Sequence, residues 1–154
     1  MKEPRRFLLM QAGTVSYAVP LEQVSEVLEL RPLAPVPRAP AWCPGAIRSA
    51  GVVVAVVDLA RYCGEASEQP PEKIVVLDRQ VGGLALQVGD IASVLLEEPV
   101  RLEKDSYGSW LVTPAARAEL LDPTELLHEI SAAMARCRSH ICHQCLNIFF
   151  FCCP

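Results

Sequence analysis

The segment Gly45 to Leu59, GAIRSAGVVVAVVDL, constrains the fold more than any other stretch. Gly45 and Gly51 bracket a short extended piece, and the apolar run Val52 to Val57 follows. Five of those six residues are β-branched. Branching at Cβ stiffens the side chain and favours a pleated strand over a helix. The run has no polar alternation, so both of its faces are expected to be covered. Gly51 suits a turn with positive φ, and Asp58 stands where it can cap the turn opening at Leu59. A buried strand between glycine turns is the centre of a small β domain.

The flanking sequence repeats one pattern. Phe7 to Val19 reads as a hairpin with a four-residue loop at residues 11–14. Leu21, Val24, Val27 and Leu28 then fall at helical spacing, which fits a short helix or a turn that becomes a strand. Five prolines between Pro32 and Pro44 make an extended connection, read as a spacer. After the central strand come the polar loop 64–72, the strand 73–77, a turn at Val81-Gly82-Gly83 and a return strand 84–88. Ile91 and Val94 follow as Val24 and Val27 did, so these pairs are candidate equivalents in two similar halves. Residues 109–114 and 118–122 pair as strands. Asp122 and Pro123 then open a helix with an apolar stripe of Leu126, Leu127, Ile130 and Met134.

Composition narrows the function. The chain is 51% hydrophobic and 21% charged, which fits a folded body of one domain or two small subdomains. A net charge of −4 and 6% aromatic content disfavour nucleic acid as a partner. Without a signal peptide or an apolar run of membrane length, the expected location is cytoplasmic. No phosphate-binding loop, dinucleotide fingerprint or nucleophile elbow is present. His128 is the one histidine of the body, and Asp58, Asp78, Asp90 and Asp122 each stand at a turn or element end. These parts predict a protein that is not an enzyme and needs no cofactor.

Seven cysteines without a secretion signal do not make a disulfide framework. Five of them crowd residues 137–154, a Cys- and Phe-rich tail set apart from the body at 1–136. Cys142 and Cys145 have the spacing of a zinc pair, with His140 and His143 beside them. A second pair at ordinary spacing is lacking, so the tail reads as a non-native extension more readily than as a metal site.

Three blocks carry a resemblance. Phe7–Val19 with Val24-Ser25-Glu26-Val27, the prolines at 35–40, and Gly45–Leu59 resemble the chemotaxis coupling protein family, the CheW-like domains. The family's middle pattern is roughly G-V-x-N-L-R-G-x-x-x-P-V-x-D-L, matched here by Gly45, Ile47, Gly51, Val56, Asp58 and Leu59. Residues 73–94 resemble its second half and 121–127 its closing L-D-x-x-x-L-L, so the likeness spans about residues 5–133. It implies a mainly β fold of two small SH3-like five-stranded barrels sharing a core, closed by a C-terminal helix. One barrel would come from about 20–85 and the other from 1–19 with 86–136, and 97–107 looks short for the connection between them. The implied function is a cytoplasmic scaffold coupling the cytoplasmic tips of chemoreceptors to the regulatory domain of a histidine kinase, near the membrane only through the receptors.

The resemblance implies partner-binding positions at Val24, Glu26, Val27, Gly45, Ile47, Arg48, Gly51, Ile91 and Val94. Val24, Val27, Ile47 and Val94 are expected to wall an apolar groove between the barrels. The family arginine is Ala50 here, and the family proline within the strand is Ala55. Arg48, two residues before Ala50, is the expected substitute, set to pair with Glu26. Two alternative readings are an adaptor of a non-flagellar chemosensory system and a small-barrel module binding metal through its tail.

Overall fold

The computed structural model describes residues 6–65, 68–94, 101–114 and 116–136. Among them the chain runs β1 (Phe7–Ala12), β2 (Val15–Pro20), a 3-10 turn (Leu21–Gln23), β3 (Val24–Glu29), β4 (Gly45–Ser49) and β5 (Val52–Asp58). Then come α1 (Leu59–Tyr62), β6 (Lys73–Leu77), β7 (Leu84–Val88), β8 (Ile91–Val94), β9 (Arg101–Asp105), β10 (Gly108–Val112), β11 (Arg117–Leu120) and α2 (Pro123–Arg136). One sheet has the order β8-β1-β2-β11-β10-β9 and the other β3-β6-β7-β5-β4. The two form a pair of small SH3-like barrels. The mainly β expectation holds, with a sixth strand, β9, in the first sheet.

Side chains alternate across each strand, so each barrel fills its own interior with one face and turns the other outward. Ile47, Val54, Val56, Ile74, Val76 and Ala85 fill the second barrel. Phe7, Ala18, Leu111 and Ala118 fill the first. The largest core lies between the barrels, where Leu8, Met10 and Val19 meet Val57, Val75, Leu77 and Leu86. Leu126, Ile130 and Met134 of α2 close it, as the apolar stripe predicts. Asp122 caps α2, its Oδ1 accepting from the backbone N–H groups of Thr124 at 2.9 Å and Glu125 at 3.3 Å. Asp58 caps α1 through the Arg61 N–H at 3.1 Å.

Strand order explains the repeat seen in the sequence. The β1–β2 hairpin is followed by β3, which crosses to pair with β6. The β6–β7 hairpin is followed by β8, which crosses to pair with β1. The parallel pairs, β2 with β11 and β5 with β7, occupy matching places in the two sheets. Each barrel is thus completed by a strand from the other half.

Local expectations need several corrections. The β1–β2 ladder runs to the pair Ala12 and Val15, so that turn is tighter than four residues. The 21–28 stretch is a single 3-10 turn and then a strand. Val53 is 43% exposed, so β5 is covered on both faces only from Val54 to Val57. The proline tract is more than a spacer. Ala34 exchanges two backbone hydrogen bonds of 2.9 Å with Ala46, and Leu33 packs on the second barrel's interior, so the tract covers the edge of β4. The 97–107 connection contains a whole strand. The tail at 137–154, with Cys142, Cys145, His140 and His143, lies outside the described residues.

Candidate functional site

Strand β3 carries the first candidate positions. Val24 opposes Leu77, and Glu26 opposes Val76, so Ser25 is an extra residue in a β-bulge. The bulge reverses the alternation, placing Val27 opposite Val75 and back on the face of Val24. This is why two valines three residues apart share a strand face without helical structure. Val24 is half-buried against the inter-barrel core. Val27 begins a row that continues through Val75, Leu86 and Val57 across three ladders. The last three are fully buried, while Val27 is 42% exposed. The seam between the barrels therefore reaches solvent at Val27.

Ile91 joins the same seam from the other half, packing on the shared core opposite Met10. Val94 is held by the backbone opposite Phe7. The remaining candidates divide differently from expectation. Ile47 opposes Val54 and is buried inside the second barrel, not in the groove, because β4 turns that face inward. Gly45 is buried at the start of β4, where a Cβ would stand 2.5 Å from the Ala34 carbonyl oxygen. Its role is close packing of the proline tract. Gly51 is exposed with φ of +81°, following Ala50 with φ of 46°. Both residues make the tight turn between β4 and β5.

Glu26 does not pair with Arg48. Its carboxylate accepts a hydrogen bond from the Ser49 hydroxyl, which ties β3 to β4 and closes the second barrel. Arg48 lies on the opposite face of β4, exposed and opposite Val53. Ala50 is in the turn, not on the strand, so the two-residue spacing does not put Arg48 in its place. The guanidinium that does reach position 50 belongs to Arg79. Its Nη2 donates to the Ala50 carbonyl at 2.6 Å. Sequence spacing gave no sign of this, because Arg79 comes from the turn after β6.

Two neighbouring groups, Tyr17 and Cys63, are perturbed by burial. Burial, with Cys63 beside it, holds the Tyr17 phenol well above its ordinary range. Burial likewise pushes the Cys63 thiol up, so the thiolate form is disfavoured at neutral pH. Among the described residues, no group of three or more His, Cys, Asp or Glu side chains is arranged to hold a metal ion. No helix among them is long and apolar enough to cross a membrane.

Comparison with known proteins agrees with this architecture. The chain is 30% identical over 95 residues to "Chemotaxis protein CheW" of Rhizobium meliloti (strain 1021), covering 58% of this chain and 61% of that protein. Its fold resembles the crystal structure of the scaffolding protein TtCheW from Thermoanaerobacter tengcongensis, with a TM-score of 0.66 and 16% identity over 78% of this chain and 90% of that one. The model of the CheW-like domain matches residues 6–130, and the chain belongs to that family.

Proposed function

We propose that this chain is a non-enzymatic adaptor that couples chemoreceptors to a chemotaxis histidine kinase in the cytoplasm. Residues 1–136 form the working unit in this reading. The observation that carries it is the open end of the seam. A continuous apolar row, buried at Val75, Leu86 and Val57, ends at a half-open valine on the edge of the sheet. Such an edge suits the apolar face of a partner's helical hairpin. Val24, Val27 and Ile91 are the contacts this reading assigns to the seam. Glu26, Gly45 and Gly51 act by holding the β3 edge and the β4–β5 turn in place. The reading fits a family whose relatives include a chemotaxis protein and a scaffolding protein. A small interface would serve, because an array holds many weak contacts together.

The test is capture of the full chain by a chemoreceptor's cytoplasmic tip and by a chemotaxis kinase's regulatory domain. The expected result is binding of both. Val27→Glu should weaken receptor-tip binding by about tenfold or more, as a charge placed at an apolar contact does, with the thermal midpoint unchanged. Absence of capture by either partner, or equal capture of the variant, refutes the reading.

A further inference from the structure

At one end of the second barrel, the β4–β5 turn faces the β6–β7 turn across a cavity of about 310 Å³. Val52, Val54 and Val76 make its apolar wall, and Ser25, Ser49 and Arg79 carry its polar groups. Arg79 is anchored by its bond to the Ala50 carbonyl. Arg31 donates from Nη2 to the Arg48 carbonyl at 2.9 Å, two residues back along the same hairpin. Arg48 is itself exposed. Two guanidinium groups, those of Arg79 and Arg31, are thus held on the backbone of one hairpin, while the Arg48 side chain stands on the face turned away from the cavity.

Neither Arg79 nor Arg31 is ion-paired with a carboxylate among the described residues. Lys73, Arg61, Arg101 and Arg117 all are. In a chain of net charge −4, these two arginines are a local feature rather than a general basic character. Two acidic residues adjoin the cavity without lining it: Glu26 is held by the Ser49 hydroxyl, and the Asp78 carboxylate is held by the Gln80 N–H in the β6–β7 turn. One carbonyl bond leaves most of the Arg79 fork free, and an anchored guanidinium loses less freedom on binding a carboxylate.

We infer that this end of the second barrel binds an acidic peptide segment of a partner protein. An apolar side chain enters the cavity against Val52, Val54 and Val76, and a flanking carboxylate meets Arg79. The inference rests on the partner-binding reading above and adds a second contact, distinct from the seam, with its own chemistry.

The experiment is fluorescence anisotropy of the full chain with a fluorescein-labelled Gly-Glu-Leu-Glu-Gly peptide, beside a twin carrying Gln for each Glu. The expected dissociation constant for the glutamate peptide is below about 1 mM. The glutamine twin should bind at least about fivefold more weakly, the effect of losing a charge-assisted pair. Arg79→Ala should give a similar loss, and Ser25→Phe, which fills the mouth from an exposed position, should give another. Val27→Glu should leave peptide affinity unchanged. Failure of the parent to bind, equal affinity for the two peptides, or unaltered binding by Arg79→Ala and Ser25→Phe overturns the inference. If receptor tip and kinase are still captured in that case, the adaptor reading stands and this site alone is refuted.

Discussion

Glu119 sits beside Tyr17 in one ladder and Trp110 in the next, half-buried. Burial, and to a lesser degree the charge on Glu65, raises its carboxyl above the ordinary glutamate value. The folded chain therefore holds the proton more tightly than the unfolded chain does. Stability is fullest below the ordinary glutamate range and declines as pH rises through the raised value. Glu119→Gln should remove that decline. Thermal melts from pH 4 to 7.5 should show variant and parent alike at the acid end, with the variant more stable at neutral pH. Identical profiles would reject the assignment. At this scale a role is legible in the sequence where a residue has one local task. Asp58 and Asp122 cap because they stand at N-cap positions, and Gly51 turns because β4 and β5 demand it. It is not legible where the task depends on a distant residue. Ile47 and Arg48 alternate correctly, but which face is inward depends on closure of the barrel through Ser49 and Glu26, which are far apart in the chain.

Among the elements, β4 shows how an edge is kept from pairing with another chain. The proline tract binds it at Ala34 and Ala46, and Gly45 makes room for the approach. Gly45→Ala would push Cβ against the Ala34 carbonyl, so either the tract or the strand must move. The expected cost is about 1–3 kcal/mol, as for other overpacked sites, read from the urea midpoint at unchanged slope. A smaller change would mean that the tract yields freely. The corresponding edge of the other sheet, β9, is guarded by composition instead. Its five residues, RLEKD, are all exposed and mostly charged. That is why periodicity missed it: a strand that buries nothing has no apolar alternation to read. The β-bulge at Ser25 misled in the other direction, giving a strand the three-residue valine spacing of a helix.

For the molecule as a whole, the shared core decides cooperativity. Ile130 is fully buried where α2 meets both barrels. Ile130→Ala should cost about 2–5 kcal/mol, the range for large-to-small changes in a packed core. Trp42 packs on the shared core and Trp110 belongs to the first sheet. Their fluorescence should lose native character at one common midpoint, lowered together in the variant. Separate midpoints would show that the barrels fold independently. The two similar halves were legible because the repeat leaves the same signature twice, a hairpin and then an apolar pair three residues apart; the two barrels were implied only by the family resemblance. The Arg79 contact was not legible, since no periodicity links a turn after β6 to a turn after β4.

The crossing strands have one more consequence. Cleavage in the polar loop between α1 and β6 would give two pieces, the first holding β1 to β5 and the second β6 to β11 with α2. Neither piece contains all the strands of either sheet. Each would be left with unsatisfied edges that its counterpart can complete, so the strand order predicts that the two fragments, mixed, complement one another.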